Sequence, residues 1–559
     1  MSTNSSATHS RVFETPELLD AICGAAKRST CLALLCVNKS SFHAAAPFVW
    51  NKVTRVTHLL KLISTVTIPL AASHGAVNIV SLHLVSKEVV LIYFMAKTLP
   101  PFASADFSRF TVYAPYVRSL DVHSDVSVSP WRTLVLRAKQ QPLLPRLLSL
   151  TVWQENRKDP ITKELMWMSV LLTQSVTSVR VQSSHTIGMG FVWGVSVILH
   201  VVATSCPHVR RLTLPTISEG TEETDGEHYL LNLFPNQPVS KSFLAFSSLH
   251  TLVTGLWIFR DDYLRVLGSL PRLRYLKLIP GYPITDSSTI VSYLDNSFPA
   301  LERLCMEDLS WKDARIVLGH GLLVKNLVSL KLVLEYAADT LTDMDSTFLM
   351  LKGIDGLTDL DVDFGNSDEL YEIEPSDMVL SVLSQLSLHT VRLSFALLLK
   401  IVEIDLYQVF SAITELRMPN QYTAVHEFQV FAALPRLQHL AVTFCDSATI
   451  DQVTDNETTA CPSLNILEFA NQIDDPFELY PQHIKPTARY LFRLFPNVKP
   501  IRWSIVGMYG SDTDNLCLTL SNVCIGMIRK RNNLRASVAE RYGWDVASRL
   551  LPGETNLGI

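Results

Sequence analysis

Charged residues are scarce in this 559-residue chain, 18% against 48% hydrophobic, and so low a share excludes a disordered chain. Glycine and proline are sparse as well. Their 21 and 28 copies make about 9% of the chain, below the roughly 12% of average usage, which excludes a collagenous or low-complexity protein. Positive charge is not in excess: the formal net charge is −5. No global basic field is present to hold nucleic acid or an anionic membrane. The nine cysteines are an odd number without a single C-x-x-C pair. Cys23, Cys31 and Cys36 fit neither a zinc knuckle nor a disulfide framework. They read as small buried hydrophobes in a reducing compartment. Long apolar runs are missing too. The first ten residues, MSTNSSATHS, carry no apolar core of a signal peptide. The most apolar stretch, about 16 residues from Phe191 and interrupted by His200, falls short of the ~20 needed for a membrane span. It reads as a buried helix, and the chain as cytoplasmic or nuclear.

Length alone allows three or four domains of about 150 residues or one repetitive array. Repetition decides the matter. A phrase of the form L-x-x-L-x-L, with apolar swaps, starts at Ile79, Val117, Leu147, Val176, Val209, Leu249, Leu273 and Leu301. It starts again at Leu327, Leu357, Leu388, Ile413, Leu437, Leu464 and, most weakly, Val498. The copy at Leu249 lacks its final apolar residue. Seven phrases have a proline two residues upstream: Pro145, Pro207, Pro271, Pro299, Pro435, Pro462 and Pro496. Proline cannot sit inside a helix and biases its predecessor toward extended backbone, so it marks the junction between one element and a strand.

The segments between phrases read as helices. The stretch from Asp261 has an Asp cap and apolar Leu264, Leu267 and Leu270, and the one from Asp286 repeats that plan. Another runs from Ser376 with Val379, Val382 and Leu383 on one face, and a fourth starts at Pro486. Neither a short strand nor a one-sided helix buries its apolar face alone, whereas stacked copies share a core. With these features the chain resembles a leucine-rich-repeat protein over about residues 75 to 510. The usual Asn or Cys three residues past the last Leu is mostly absent; LQHLAVTFC, ending on Cys445, supplies it. The expected fold class is α/β, a right-handed leucine-rich-repeat-like βα solenoid behind a small all-α module. The boundaries are a disordered 1–10, the helical module 11–52, a linker or cap helix 53–78, about 15 repeats over 79–510, and a capping segment 511–559.

Residues 11–52 lack the phrase. Pro16 follows Thr15 at a helix start, with Leu18, Leu19, Ile22 and Cys23 as an apolar stripe. Leu32, Leu35, Cys36 and Val37 form a second stripe, and Phe42, Phe48 and Trp50 close the segment. About forty residues in short helices bury too little surface to stand alone. The order Pro16-Glu17-Leu18-Leu19, Ile22, Leu32 to Leu35, Cys36-Val37, Phe42, and Pro47 with Trp50 resembles the F-box. Thr15 departs from it where an apolar residue is usual. The resemblance implies an adaptor-facing patch made by Pro16, Leu18, Leu19, Ile22, Leu35, Val37, Phe42 and Trp50. It also implies a Skp-family partner and, through it, a cullin. The layout is similar to that of fungal F-box proteins with irregular leucine-rich repeats.

Nothing in the sequence points to catalysis. There is no H-E-x-x-H, P-loop or G-x-S-x-G, and GMGFVWG at Gly188 has its third glycine one residue late for a dinucleotide site. No metal or cofactor is expected. His83, His123 and His439 read as surface histidines on the strands. The acidic stretch from Glu219 reads as a solvated loop, and RKRNNLR from Arg529 as part of a capping helix. If phrase positions one, four and six face the core, positions three, five and seven face a concave surface. Candidate target-binding residues there are Tyr275, Lys277, Arg303, Lys331, Asp359, Asp361, Arg392, Arg417 and His439. Lys331, Asp361 and Arg392 should form a lateral row. Either these charges pair among themselves, or they make a net positive docking strip. The functional expectation is a non-enzymatic substrate-recognition subunit of a Skp–cullin–F-box ubiquitin ligase. The alternative is an interaction scaffold whose F-box-like segment caps the solenoid.

Overall fold

A computed structural model describes residues 15–63, 106–123, 131–154, 162–183, 192–214, 240–259, 263–280, 297–335, 340–364, 373–398, 401–445, 460–471, 481–499 and 501–505, with scattered positions over 520–537. The chain divides into two compact units, Met1–Ala300 and Leu301–Ile559. The first holds helices α1 (Pro16–Ala25), α2 (Arg28–Leu34) and α3 (Lys39–Trp50), then strands β1 (Lys52–Val53), β2 (Ser119–His123), β3 (Ser149–Gln154), β4 (Ser178–Ser183), β5 (Arg211–Thr213), β6 (Thr251–Gly255) and β7 (Tyr275–Ile279). In the second unit lie β8 (Arg303–Leu309), β9 (Ser329–Leu334), β10 (Asp359–Asp363) and β11 (Thr390–Ser394). They are followed by β12 (Glu415–Thr423), β13 (His439–Phe444), β14 (Ile466–Asn471) and β15 (Arg502–Ile505).

Within each unit the strands lie in chain order and pair in parallel, as in β2–β3, β3–β4 and β4–β5 of the first and β9–β10, β10–β11 and β11–β12 of the second. The register follows the phrase. Strands β2 to β14 each begin at its third position, and like positions stand side by side, Lys331 beside Asp361 beside Arg392. Position four is sealed throughout, from Leu120 to Leu150, Leu212, Leu276, Leu330 and Leu416, each fully buried. Position one, from Val117 to Leu464, is buried equally well. Alternation along β2, β7 and β10 leaves the intervening side chains half-exposed on the opposite face.

The upstream prolines act through turns. All seven occupy turn positions, and four of these turns close with a hydrogen bond from the position-one N–H to the carbonyl three residues earlier. These are Leu147 to Leu144, Val209 to Cys206, Leu437 to Leu434 and Val498 to Phe495, at 3.1–3.3 Å. Proline is then the second residue of a β-turn, where its fixed φ is already suitable and its missing N–H costs nothing. The residue before each proline, such as Leu144, Cys206 or Leu434, is buried. The chain thus folds back from helix to strand without exposing an apolar side chain.

The expected helices occur at Tyr263–Gly268, Asp377–Ser384 and Ile484–Leu494. Ser376 caps the second, its hydroxyl accepting the Val379 N–H at 3.2 Å. The third begins two residues ahead of Pro486, which leaves that proline in the first turn. The helix from Asp286 lies outside the described residues. The apolar run from Phe191 folds as Val192–Ser205, with Val195, Ile198, Leu199 and Val202 buried. Among the described residues no helix is long and apolar enough to cross a membrane. In the second unit, neighbouring helices Trp311–Gly319 and Thr340–Leu351 pack side by side. Arg315 pairs with Asp343 at 3.2 Å, and the buried Thr347 hydroxyl donates to the Trp311 carbonyl.

Two expectations about the start of the array change. The strand beside β2 is Lys52–Val53, not the phrase at 79–84, which lies outside the described residues. The sheet therefore begins inside the segment read as helical module. Residues 53–78 do include a short helix, Val56–Leu60, with Val56, Leu59 and Leu60 buried. The second helix of the module starts at Arg28 and turns Cys31 inward, so Leu32, expected on its apolar stripe, stands 48% exposed.

A side-chain clamp joins two adjacent repeats of the second unit. β12 carries a bulge between Met418 and Tyr422, placed by Pro419, which cannot donate to a ladder. The bulge swings Asn420 and Gln421 inward, where they are 3% and 2% exposed. Asn420 Oδ1 accepts the N–H of Phe395, a residue held at φ 57°, at 2.8 Å. Gln421 Oε1 accepts the Leu398 N–H at 2.7 Å while its amide donates to the carbonyls of Leu398 and Tyr422. The two amides thus form one local clamp between adjacent repeats.

Candidate functional site

The helical module has a small core: Leu19, Cys23, Cys31, Ala44, Ala45 and Val49 are buried, with Ala26, Leu34, Leu35 and Trp50 packed against them. Asn38 caps α3 by accepting the Ser41 N–H at 2.8 Å. At the head of α1, Thr15 receives the Leu19 N–H through its carbonyl, at 3.1 Å. The module completes this core on the first repeats. Phe42 meets Tyr113 edge-on with centroids 5.6 Å apart, Trp50 lies 4.7 Å from the same ring, and His43 Nδ1 is 2.7 Å from the Tyr116 hydroxyl.

This packing divides the residues expected to form one patch. Leu19 is 1% exposed and belongs to the core, because the α1 face one residue round from Leu18 and Ile22 points at α3. Leu35, Phe42 and Trp50 are half-buried by the module core and Tyr113. Pro16, Leu18, Ile22 and Val37 do stand open, and Leu32 and Phe48 join them. Leu18, Ile22, Leu32, Phe48 and Val37 are 48, 42, 48, 44 and 59% exposed. Five large apolar side chains on one 40-residue module are the main concentration of exposed hydrophobic surface among the described residues.

On the sheet face of the second unit the expected row is present. Lys331 Nζ lies 3.3 Å from Asp361 Oδ2, and Arg392 Nε 3.9 Å from Oδ1 of the same carboxylate. Arg417 stands opposite Arg392 but turns back to Glu415 on its own strand. His439 differs from the surface histidine expected. It is 8% exposed, held between Glu415 (3.7 Å from Nδ1) and Glu468 (3.2 Å from Nε2), with Arg417 Nη2 at 3.4 Å. The carboxylates and guanidinium of the two flanking strands close over the ring. Asp359 accepts the Thr358 hydroxyl at 2.8 Å, and Arg303 is exposed on β8. Tyr275 and Lys277 are half-exposed on β7, in the other unit. The row carries Lys331, Arg392 and Arg417 against Asp361, Glu415 and Glu468, so of the two alternatives it is the pairing among themselves that the geometry shows, and the row is charge-balanced. Each such exposed pair contributes well under 1 kcal/mol.

Among the described residues no group of three or more His, Cys, Asp or Glu is placed to hold a metal ion. Cys206 and Cys461, each just before a turn proline, donate their thiols to the Thr173 and Leu434 carbonyls at 3.2 Å. Burial pushes the Cys206 thiol up to about 12, so it is a structural hydrogen-bond donor rather than a nucleophile. His83, the acidic stretch from Glu219 and most of the basic run from Arg529 fall outside the described residues; His123 stacks on Trp153 at 6.2 Å.

The phrase, its strand register and the helical returns define the class, a leucine-rich-repeat-like βα solenoid carrying an N-terminal helical module. No family model matches the chain, and no curated protein matches it. A solved structure of a TLR13–ssRNA13 complex is similar at 13% identity and a TM-score of 0.35, over 71% of this chain and 58% of that one. The chain thus spans less than two thirds of that neighbour, and a likeness of this size carries no functional argument.

Proposed function

We propose that this chain is a non-catalytic substrate-recognition subunit of a Skp–cullin–F-box ubiquitin ligase, acting in the cytoplasm or nucleus. The observation that carries the reading is the exposed apolar group of Leu18, Ile22, Leu32, Val37 and Phe48 on the module. Exposed apolar surface concentrated in this way marks a partner site, and burying side chains of this kind contributes roughly 1 kcal/mol or more apiece. The module would dock a Skp-family adaptor there while the repeats hold a protein target. The rate gain comes from effective concentration, with no chemistry in this chain.

A second reading, a scaffold whose helical module is only a cap, draws on the aromatic contacts of Phe42 and Trp50 with Tyr113 and on the β1–β2 pairing. The two readings use different residues and separate cleanly. Leu18→Glu with Ile22→Glu alters exposed positions only, so the fold should persist by circular dichroism while capture of a purified Skp-family adaptor by the full chain disappears. Undiminished capture by the double variant, or none by the wild type, leaves the cap reading in its place.

A further inference from the structure

The charge of the chain is unevenly spread. Residues 1–300 hold 27 Lys and Arg against 19 Asp and Glu, net +8, and the remainder hold 21 against 34, net −13, together the −5 of the whole. In the first unit this excess is ordered by the repeat. Position two of each phrase lies where the strand begins, and its backbone forms a continuous ladder. Leu148 N–H donates to the Arg118 carbonyl, Thr177 to Leu148, Arg210 to Thr177, His250 to Arg210 and Arg274 to His250, at 2.7–3.0 Å. Arg118, Arg210 and Arg274 therefore share one edge across the five strand steps from β2 to β7. At about 4.8 Å per step that edge is ~24 Å long. Arg211 and Arg180 extend the same charge onto the adjoining sheet face, on β5 and β4.

All five guanidiniums are exposed, and among the described residues none has a carboxylate within ion-pair distance. The one described carboxylate on this sheet face is the half-buried Asp121 on β2. This is the reverse of the second unit, where every cation of the row has its acid. Arginine presents a planar fork suited to carboxylate recognition, and an unpaired guanidinium loses little by accepting a partner. We infer that this arginine edge of the first unit is the docking surface for an extended acidic segment of a protein partner. The assignment rests on the recognition role proposed above and names the chemistry of its target. Three features favour a polypeptide over a nucleic acid. The chain as a whole is negatively charged. The exposed Leu148 stands within the row at 40% exposure. The edge matches about seven residues of extended peptide at ~3.3 Å each.

The test uses the full chain and a fluorescein-labelled polyglutamate peptide of about twelve residues, long enough to overrun the edge. Binding by the wild type should weaken as salt is raised. Arg118→Glu, Arg210→Glu and Arg274→Glu together should lower affinity by about tenfold or more, while the triple Lys variant, which keeps the charge and serves if the first does not fold, should lose only severalfold. Arg392→Glu, in the charge-balanced row, should change it little. Equal binding by the wild type and the triple Glu variant overturns the inference. So does a single-stranded RNA of similar length that binds more tightly and depends on the same arginines. Adaptor capture is measured on the same proteins. Lost peptide binding with intact capture is the result expected of the triple Glu variant, and a wild type that binds peptide but captures no adaptor refutes the ligase role alone.

Discussion

The two units solve the same packing problem and differ on their surfaces and seams. In the first, the described arginines of the sheet face and its edge have no acid within ion-pair distance, and the Thr254 hydroxyl, at position six of its phrase, is fully buried and lacks a hydrogen-bond partner. In the second, the face is closed by Lys331–Asp361–Arg392 and by the Glu415–Arg417–His439–Glu468 group, and the Asn420–Gln421 clamp satisfies backbone groups of the preceding repeat. Repeat architecture fixes the interior strictly, since a strand that fails at position four exposes the core of both neighbours. It leaves the face free to be internally satisfied or held available for a partner.

The sharpest test of this contrast is the clamp. Gln421→Ala strands a buried Leu398 N–H and leaves a void, so the second unit should lose about 2–4 kcal/mol, read as a lower urea midpoint. A loss below ~0.5 kcal/mol would mean the bulge relaxes and the repeats need no such tie. In the first unit Thr254→Val replaces an unsatisfied buried hydroxyl with a methyl of similar shape and should stabilise by about 1 kcal/mol. Destabilisation there would imply a hydroxyl partner and remove that difference between the units. The smallest effect belongs to the paired row. Asp361→Asn should cost under about 0.5 kcal/mol and become invisible in high salt, because its partners Lys331 and Arg392 have side chains 44% and 48% exposed. A salt-insensitive loss several times larger would show that the row is structural rather than a solvated face.

The interior was legible because it is periodic. Each apolar phrase from Val117 to Leu464 lies on a strand beginning at its third position, and each upstream proline marks a turn, since period-two burial and a fixed proline φ are local consequences of residue type. The row Lys331–Asp361–Arg392 was legible for the same reason: equal phrase positions become neighbours in a parallel ladder. Tertiary packing decided the rest. Leu19 and Leu18 are equally apolar in sequence, and the contact of α1 with α3 buries one and leaves the other open. His439 became buried through carboxylates on β12 and β14, more than twenty residues away on either side. Asn420 and Gln421 are turned inward by the bulge at Pro419, which forms only where β12 pairs with β13. The balance of the second unit's row and the openness of the arginine edge likewise depend on which acids come within reach. Sequence determines a periodic core because burial there is set residue by residue; pairing, capping and exposure are relations between distant residues, and only the folded chain brings them together.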